Sequence, residues 1–208
     1  MNLFGDPIVF ILTIPAVLWA ITFHEFCHGY AAKLVGDRTA ELQGRLTLNP
    51  LAHFDVLGTL ALLFFHFGWA RPVPINPSHF RNFKRDLVIV SLAGIAGNLL
   101  TAFVFLLVWH LFGSVLFSLG GRALVIVFQQ MVMINVGLAA FNLIPIPPLD
   151  GSRVLFVFLP PSARSFYYSM ERYGIFILII LLVSGVMDVF FYPIIRVLIR
   201  LVSLGGIL

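Results

Sequence analysis

Long apolar runs broken by short polar segments set the pattern of this chain. Residues 7–34 are apolar apart from a polar cluster near their end, and predict a membrane helix that stops near Gly36-Asp37, a turn signal. Residues 39–50 are polar and alternating, and Gly44-Arg45-Leu46-Thr47-Leu48 reads as a short strand. Residues 57–69 are apolar but too short for the roughly 20 residues of a spanning helix, so a tilted or re-entrant helix is expected there. Pro72, Pro74 and Pro77 then rule out a helix or a central strand over residues 70–77 and suit an extended edge. Residues 87–112 predict a full span with a small, polar stripe of Gly94, Gly97 and Asn98. Residues 123–144 predict another, carrying Gln129, Gln130, Asn135 and Asn142 and ending at Pro145. The stretch Pro145-Ile146-Pro147-Pro148-Leu149-Asp150-Gly151 is irregular backbone between apolar runs, tolerated at membrane depth only inside protein or beside a wet cavity. Residues 173–191 predict a further span, and residues 193–204 a last span or an interfacial helix. No fixed-period repeat is present.

Composition turns this pattern into a class. Hydrophobic residues make up 60% of the chain and charged ones 11%, against about 25% charged in a soluble domain. Mean hydropathy is +1.02. The expectation is an all-α polytopic membrane protein of about five to six helices, with residues 1–208 forming a single membrane-embedded domain. The net charge of +4 does not point to nucleic acid, because the basic residues sit in short loops. Ten of the 13 Lys and Arg fall in two stretches, residues 33–85 and 153–172, which places both in the cytoplasm and the N-terminus outside. One cysteine excludes an internal disulfide framework. The first apolar run lacks a basic leader and is interrupted by Glu25 and His28, so it reads as a retained span rather than a signal peptide.

The chemistry sits in that first run, as His24-Glu25-Phe26-Cys27-His28. Residues four apart share a helix face, so His24 and His28 can present two imidazoles to one metal ion, with Glu25 rotated by about 100° to reach a water on it. Burying two His and a Glu among lipid-facing residues is costly without a function. Catalytic zinc takes three protein ligands and keeps a fourth position open. Of the nine acidic residues, Asp150 stands out by following three prolines in an irregular segment on the same side of the membrane. The expected site is one Zn²⁺ held by His24, His28 and Asp150, with Glu25 as base and Asn142 donating to the oxyanion.

These motifs resemble the site-2 protease family of intramembrane zinc metalloproteases. The resemblance rests on His24-Glu25-Phe26-Cys27-His28, on the run from Asn142 to Gly151, and on the helix carrying Gly94 and Asn98. Gly44-Arg45-Leu46-Thr47-Leu48-Asn49-Pro50 and Trp69 through Pro77 are similar to the compact prokaryotic members. The resemblance implies a core of three helices carrying the site, a small membrane-associated β-sheet, and cleavage of the transmembrane segment of a single-span partner. It places two ligands and the base on His24, His28 and Glu25, the third ligand on Asp150, and a transition-state Asn on Asn142. No PDZ or CBS domain fits within these residues. Cys27 stands where small residues such as Ala are common, a position open to redox sensitivity.

An exposed edge offers hydrogen bonds to an unwound peptide, so Val73, Pro74, Ile75 and Asn76 are expected to bind substrate, as is the stretch from Gly44 to Leu48. His53 and Asn98 are further candidates for substrate contact, beside plainer readings as a core histidine and as helix packing. His66, His79 and His110 read as interfacial. The expected partners are the single-span substrate and the lipid bilayer, with self-association left open. Two other classes fit the same residues: a scaffold that binds helices without cutting them, and a metal-ion transporter with His24, His28 and Asp150 as a transit site.

Overall fold

The computed structural model describes residues 6–58 and 68–206. Helix α1 spans Pro7–Val35: Asp6 caps it by accepting from the Ile8 N–H, Pro7 occupies its first turn, and Gly36 closes it at φ 118°. At roughly 1.5 Å per residue it is long enough to cross a bilayer. Its inward face is small, with Ala16, Ala20 and Ala32 fully buried, while Ile8, Ile11 and Leu34 face outward. A short helix α2 (Thr39–Leu42) and 3-10 turns at Pro50–His53 and Pro77–His79 follow.

Helix α3 spans Phe83–Leu143 and breaks at Gly121, whose φ of 55° and ψ of −141° are open to glycine. The break turns α3 back on itself. Asn98 pairs with Asn135, and Phe105 with Phe128, so its arms run antiparallel as two membrane-crossing helices. This agrees with the spans expected at residues 87–112 and 123–144. Gly97 lets the first arm close on α1, because a Cβ there would lie 2.5 Å from Cys27 Sγ.

Helices α4 (Asp150–Phe158), α5 (Pro161–Arg172), α6 (Gly174–Val183) and α7 (Val186–Val202) complete the described chain. Among the described residues the protein is all α, in a membrane-type sequence. Three expectations change. The span foreseen over residues 173–191 is broken at Ser184-Gly185, where Gly185 has φ 74°. Its second half continues through Pro193 into α7, whose Leu198 and Val202 pack on the arms of α3. Asp150 is the first residue of α4 rather than part of the irregular turn.

The third change concerns the sheet. No strand is found among the described residues, at Gly44-Arg45-Leu46-Thr47-Leu48 or at Val73-Pro74-Ile75-Asn76. Prolines 72 and 74 lack the N–H groups a ladder needs. Arg45 instead reaches across to the carbonyls of Arg71 and Pro72 at 2.9 and 3.1 Å, so side chains replace the ladder. The helix expected over residues 57–69 falls largely outside the described residues.

The turn between α3 and α4 is tightly walled. A Cβ at Gly151 would meet Leu143 O at 2.3 Å, and one at Gly174 would meet Pro147 O at 2.8 Å. Ile144 and Leu149 of this turn are buried with Leu178 and Met187.

Candidate metal centre

His24 and His28 lie one turn apart on α1, and the α3–α4 turn brings Asp150 to them across 122 residues. The two Nε2 atoms stand 2.9 Å apart. Asp150 Oδ2 is 3.2 Å from His24 Nε2 and 3.1 Å from His28 Nε2. All three side chains are buried, and their ligand atoms lie within 4.8 Å of one another.

The far sides of the imidazoles decide what the near sides can do. His28 Nδ1 faces the Val90 carbonyl at 2.7 Å, which can only accept, so Nδ1 carries the proton. His24 Nδ1 faces Asn98 Oδ1 at 2.6 Å. The Asn98 amide is pinned because its Nδ2 donates to Ala20 O at 3.0 Å and to Asn135 Oδ1 at 2.9 Å. Asn135 is pinned in turn by donating to Met131 O. Both Nε2 atoms are therefore lone pairs facing a carboxylate, and three acceptors converge with no hydrogen between them. A cation relieves that repulsion. Tetrahedral zinc ligands at about 2.0–2.1 Å stand roughly 3.3 Å apart, close to the separations here. The donor set fits zinc.

Gly94 makes room for the imidazoles. A Cβ on it would sit 2.5 Å from His28 Nε2 and 2.7 Å from His24 Cε1. Glu25 lines a cavity beside the centre, and its Oε2 accepts the Val73 N–H at 2.8 Å. That cavity, of about 460 Å³, is also walled by His24, Val73, Ile75, Asn142 and Asp150. Asn142 faces it while donating to Leu138 O at 3.0 Å, which leaves its second amide hydrogen unspent.

Of the expected substrate contacts, Val73 and Ile75 line the cavity, whereas Pro74, Asn76, His53 and Asn98 do not. His53 is 2% exposed, bonds Thr47 O at 2.9 Å, and is not part of the cavity wall. Asn98 is fully buried behind His24. Sequence reasoning missed the orienting roles of Asn98 and Asn135, although amides inside a membrane span are themselves a signal. It also missed Asp37, a 1% exposed carboxylate that accepts from Thr39, Asn76 and His79.

A His pair one turn apart, a distant Asp and a neighbouring Glu, meeting between apolar helices, is the arrangement of a membrane-embedded metallopeptidase. The model of peptidase family M50 matches residues 119–184, the second arm of α3 through α6. The chain is 40% identical over 177 residues to "Putative zinc metalloprotease YwhC" of Bacillus subtilis, covering 84% of this chain and 81% of that one. It is 30% identical over 196 residues to "Putative zinc metalloprotease Rip2" of Mycolicibacterium smegmatis, with 90% and 72% covered. MJ0611 of Methanocaldococcus jannaschii, named in the same way, is 31% identical over 150 residues, 71% of each chain. No solved structure matches. The chain belongs to peptidase family M50 and is a membrane zinc metalloprotease.

Proposed function

We propose that this protein is an intramembrane endopeptidase that cuts the transmembrane segment of single-span partners from the cytoplasmic side of the cell membrane. One observation carries the reading: His24, His28 and Asp150 aim three lone pairs at one buried point beside Glu25, at a cavity large enough for a length of unwound chain. In this reading residues 1–208 act as one membrane-embedded unit. It has about five or six membrane helices, with α1, the first arm of α3 and the α3–α4 turn as its core.

His24, His28 and Asp150 would hold the zinc, which when bound would supply a Lewis acid for the scissile carbonyl and an acidified water. Glu25 has one carboxylate oxygen tied to Val73 and the other available. That oxygen accepts the proton of the attacking water and returns it to the departing amine. Asn142 donates its spare amide hydrogen to the oxygen that gains charge in the tetrahedral state. Val73 and Ile75 form part of the cavity wall against which an unwound substrate would lie, the place expected of a strand edge. The basic stretches flanking the site support a cytoplasmic orientation.

The test is substitution with two readouts. Glu25→Gln retains one zinc per chain and loses cleavage of a single-span substrate in lipid vesicles by 10²-fold or more, on the order of a general base's contribution. His24→Ala and Asp150→Ala lose both. A Glu25→Gln protein that still cuts at the wild-type rate overturns the assignment.

A further inference from the structure

The segment from Arg71 to Asn76 is held by charged side chains where neighbouring strands were expected. At its start the Arg45 guanidinium donates to the Arg71 and Pro72 carbonyls, and Arg71 N–H donates to His53 O at 2.9 Å. In its middle the Val73 N–H donates to Glu25. At its end the Asn76 N–H donates to Asp37 Oδ2 at 2.7 Å, just beyond α1. Val73 packs toward Gly29, and Ile75 packs on the cluster of Ala31, Ala32 and Val35, so the segment runs along α1 from Glu25 to Asp37.

Only three residue steps separate the two anchored amides, Val73 N–H on Glu25 and Asn76 N–H on Asp37, so what holds one end bears directly on the other. Prolines 72 and 74 further restrict the chain to extended geometry.

Asp37 is the stronger anchor. It is almost wholly buried at a helix C-terminus, where the macrodipole disfavours a carboxylate. Donors from Thr39 N, Asn76 N and His79 Nδ1, at 3.0, 2.7 and 3.1 Å, compensate. We infer that Asp37, with Arg45 at the other end, is a positioning residue: the pair fixes the Arg71–Asn76 segment so that the Val73 N–H holds the Glu25 carboxylate in place. The inference rests on Glu25 being the base, as proposed above.

The test uses the full-length, zinc-loaded protein in phosphatidylcholine nanodiscs and reads residue-resolved hydrogen exchange. Asp37→Ala and Arg45→Ala each speed exchange of the Val73 amide tenfold or more, with α1 protection and zinc stoichiometry unchanged. With a fluorescence-quenched single-span peptide as probe, each lowers kcat about tenfold while KM stays within about threefold, since the geometry of the base is what slips. The Asp37→Ala/Arg45→Ala double variant is no slower than the worse single one, because both act through one segment; independent structural losses would multiply. Should Asp37→Ala fail to fold, Arg45→Ala decides by the same measurements. Unchanged Val73 exchange, or multiplicative losses, overturns the inference whatever the activity. A wild type that holds zinc and cuts no probe in a panel counts against the proposed function, and the Val73 measurement then judges the clamp by itself.

Discussion

Replacing Gly94 by Ala separates fold from metal. The added methyl would lie 2.5 Å from His28 Nε2 and 2.7 Å from His24 Cε1. A comfortable carbon contact needs about 3.5 Å, so the imidazoles or α3 must retreat by roughly 0.8–1 Å. Metal ligands tolerate only about 0.2 Å. Neither imidazole has a free route back, because Val90 O and Asn98 fix their far sides. Loss of an orienting partner alone costs about 10–100-fold in metal affinity. Direct displacement of two ligands should cost at least about 100-fold, near 2.7 kcal/mol. Ala is the better helix former by about 1 kcal/mol, which offsets part of the strain in the apo fold. Zinc-buffered dialysis with metal analysis reads the affinity, and thermal unfolding with and without chelator reads the fold. The expected variant folds, takes up little zinc, and loses most of the zinc-dependent rise in Tm. Wild-type zinc affinity in Gly94→Ala would refute the packing argument and with it the placement of the ligands.

Two further outcomes follow from the same hydrogen bonds. Asn98→Leu leaves His24 Nδ1 without its acceptor and frees the ring to turn; zinc affinity should fall about 10–100-fold by the same dialysis, with α1 and α3 still paired. Asp37 gives a pH dependence. Burial raises its carboxyl pKa, but the hydrogen bonds from Thr39, Asn76 and His79 outweigh this and hold it below the ordinary range. A lowered folded-state pKa contributes stability that is fully present above the unfolded value of about 3.9 and lost as pH falls toward the folded one. Unfolding measured from pH 6 down to pH 3 should show that loss below about pH 4 in the wild type, and a shallower slope in Asp37→Asn.

The helical parts of the fold and the reacting residues were legible because their signals are local. A turn spacing of four puts His24 and His28 on one face regardless of context, and an Asp after three prolines is conspicuous in a greasy chain. Gly94 was legible as a small residue, but its purpose was not, since only packing of α3 on α1 sets it against the imidazoles. The segment at Val73 was misassigned to a sheet because prolines and alternation read alike whether backbone or side chains hold the chain. Its true holders, Asp37 and Arg45, lie some 36 and 28 residues before Val73. Ser184-Gly185 was a readable breaker inside residues 173–191, and the surrounding run of Ile and Leu masked it.

The close seating of Gly174 on Pro147 ties the outer helices to the ligand-bearing turn. Asp150 is thus fastened from behind by the elbow between α5 and α6, which bends by 71°. A change in that bend would be felt at the turn that presents Asp150, so the spacing of the third ligand depends on helices that carry no ligand themselves.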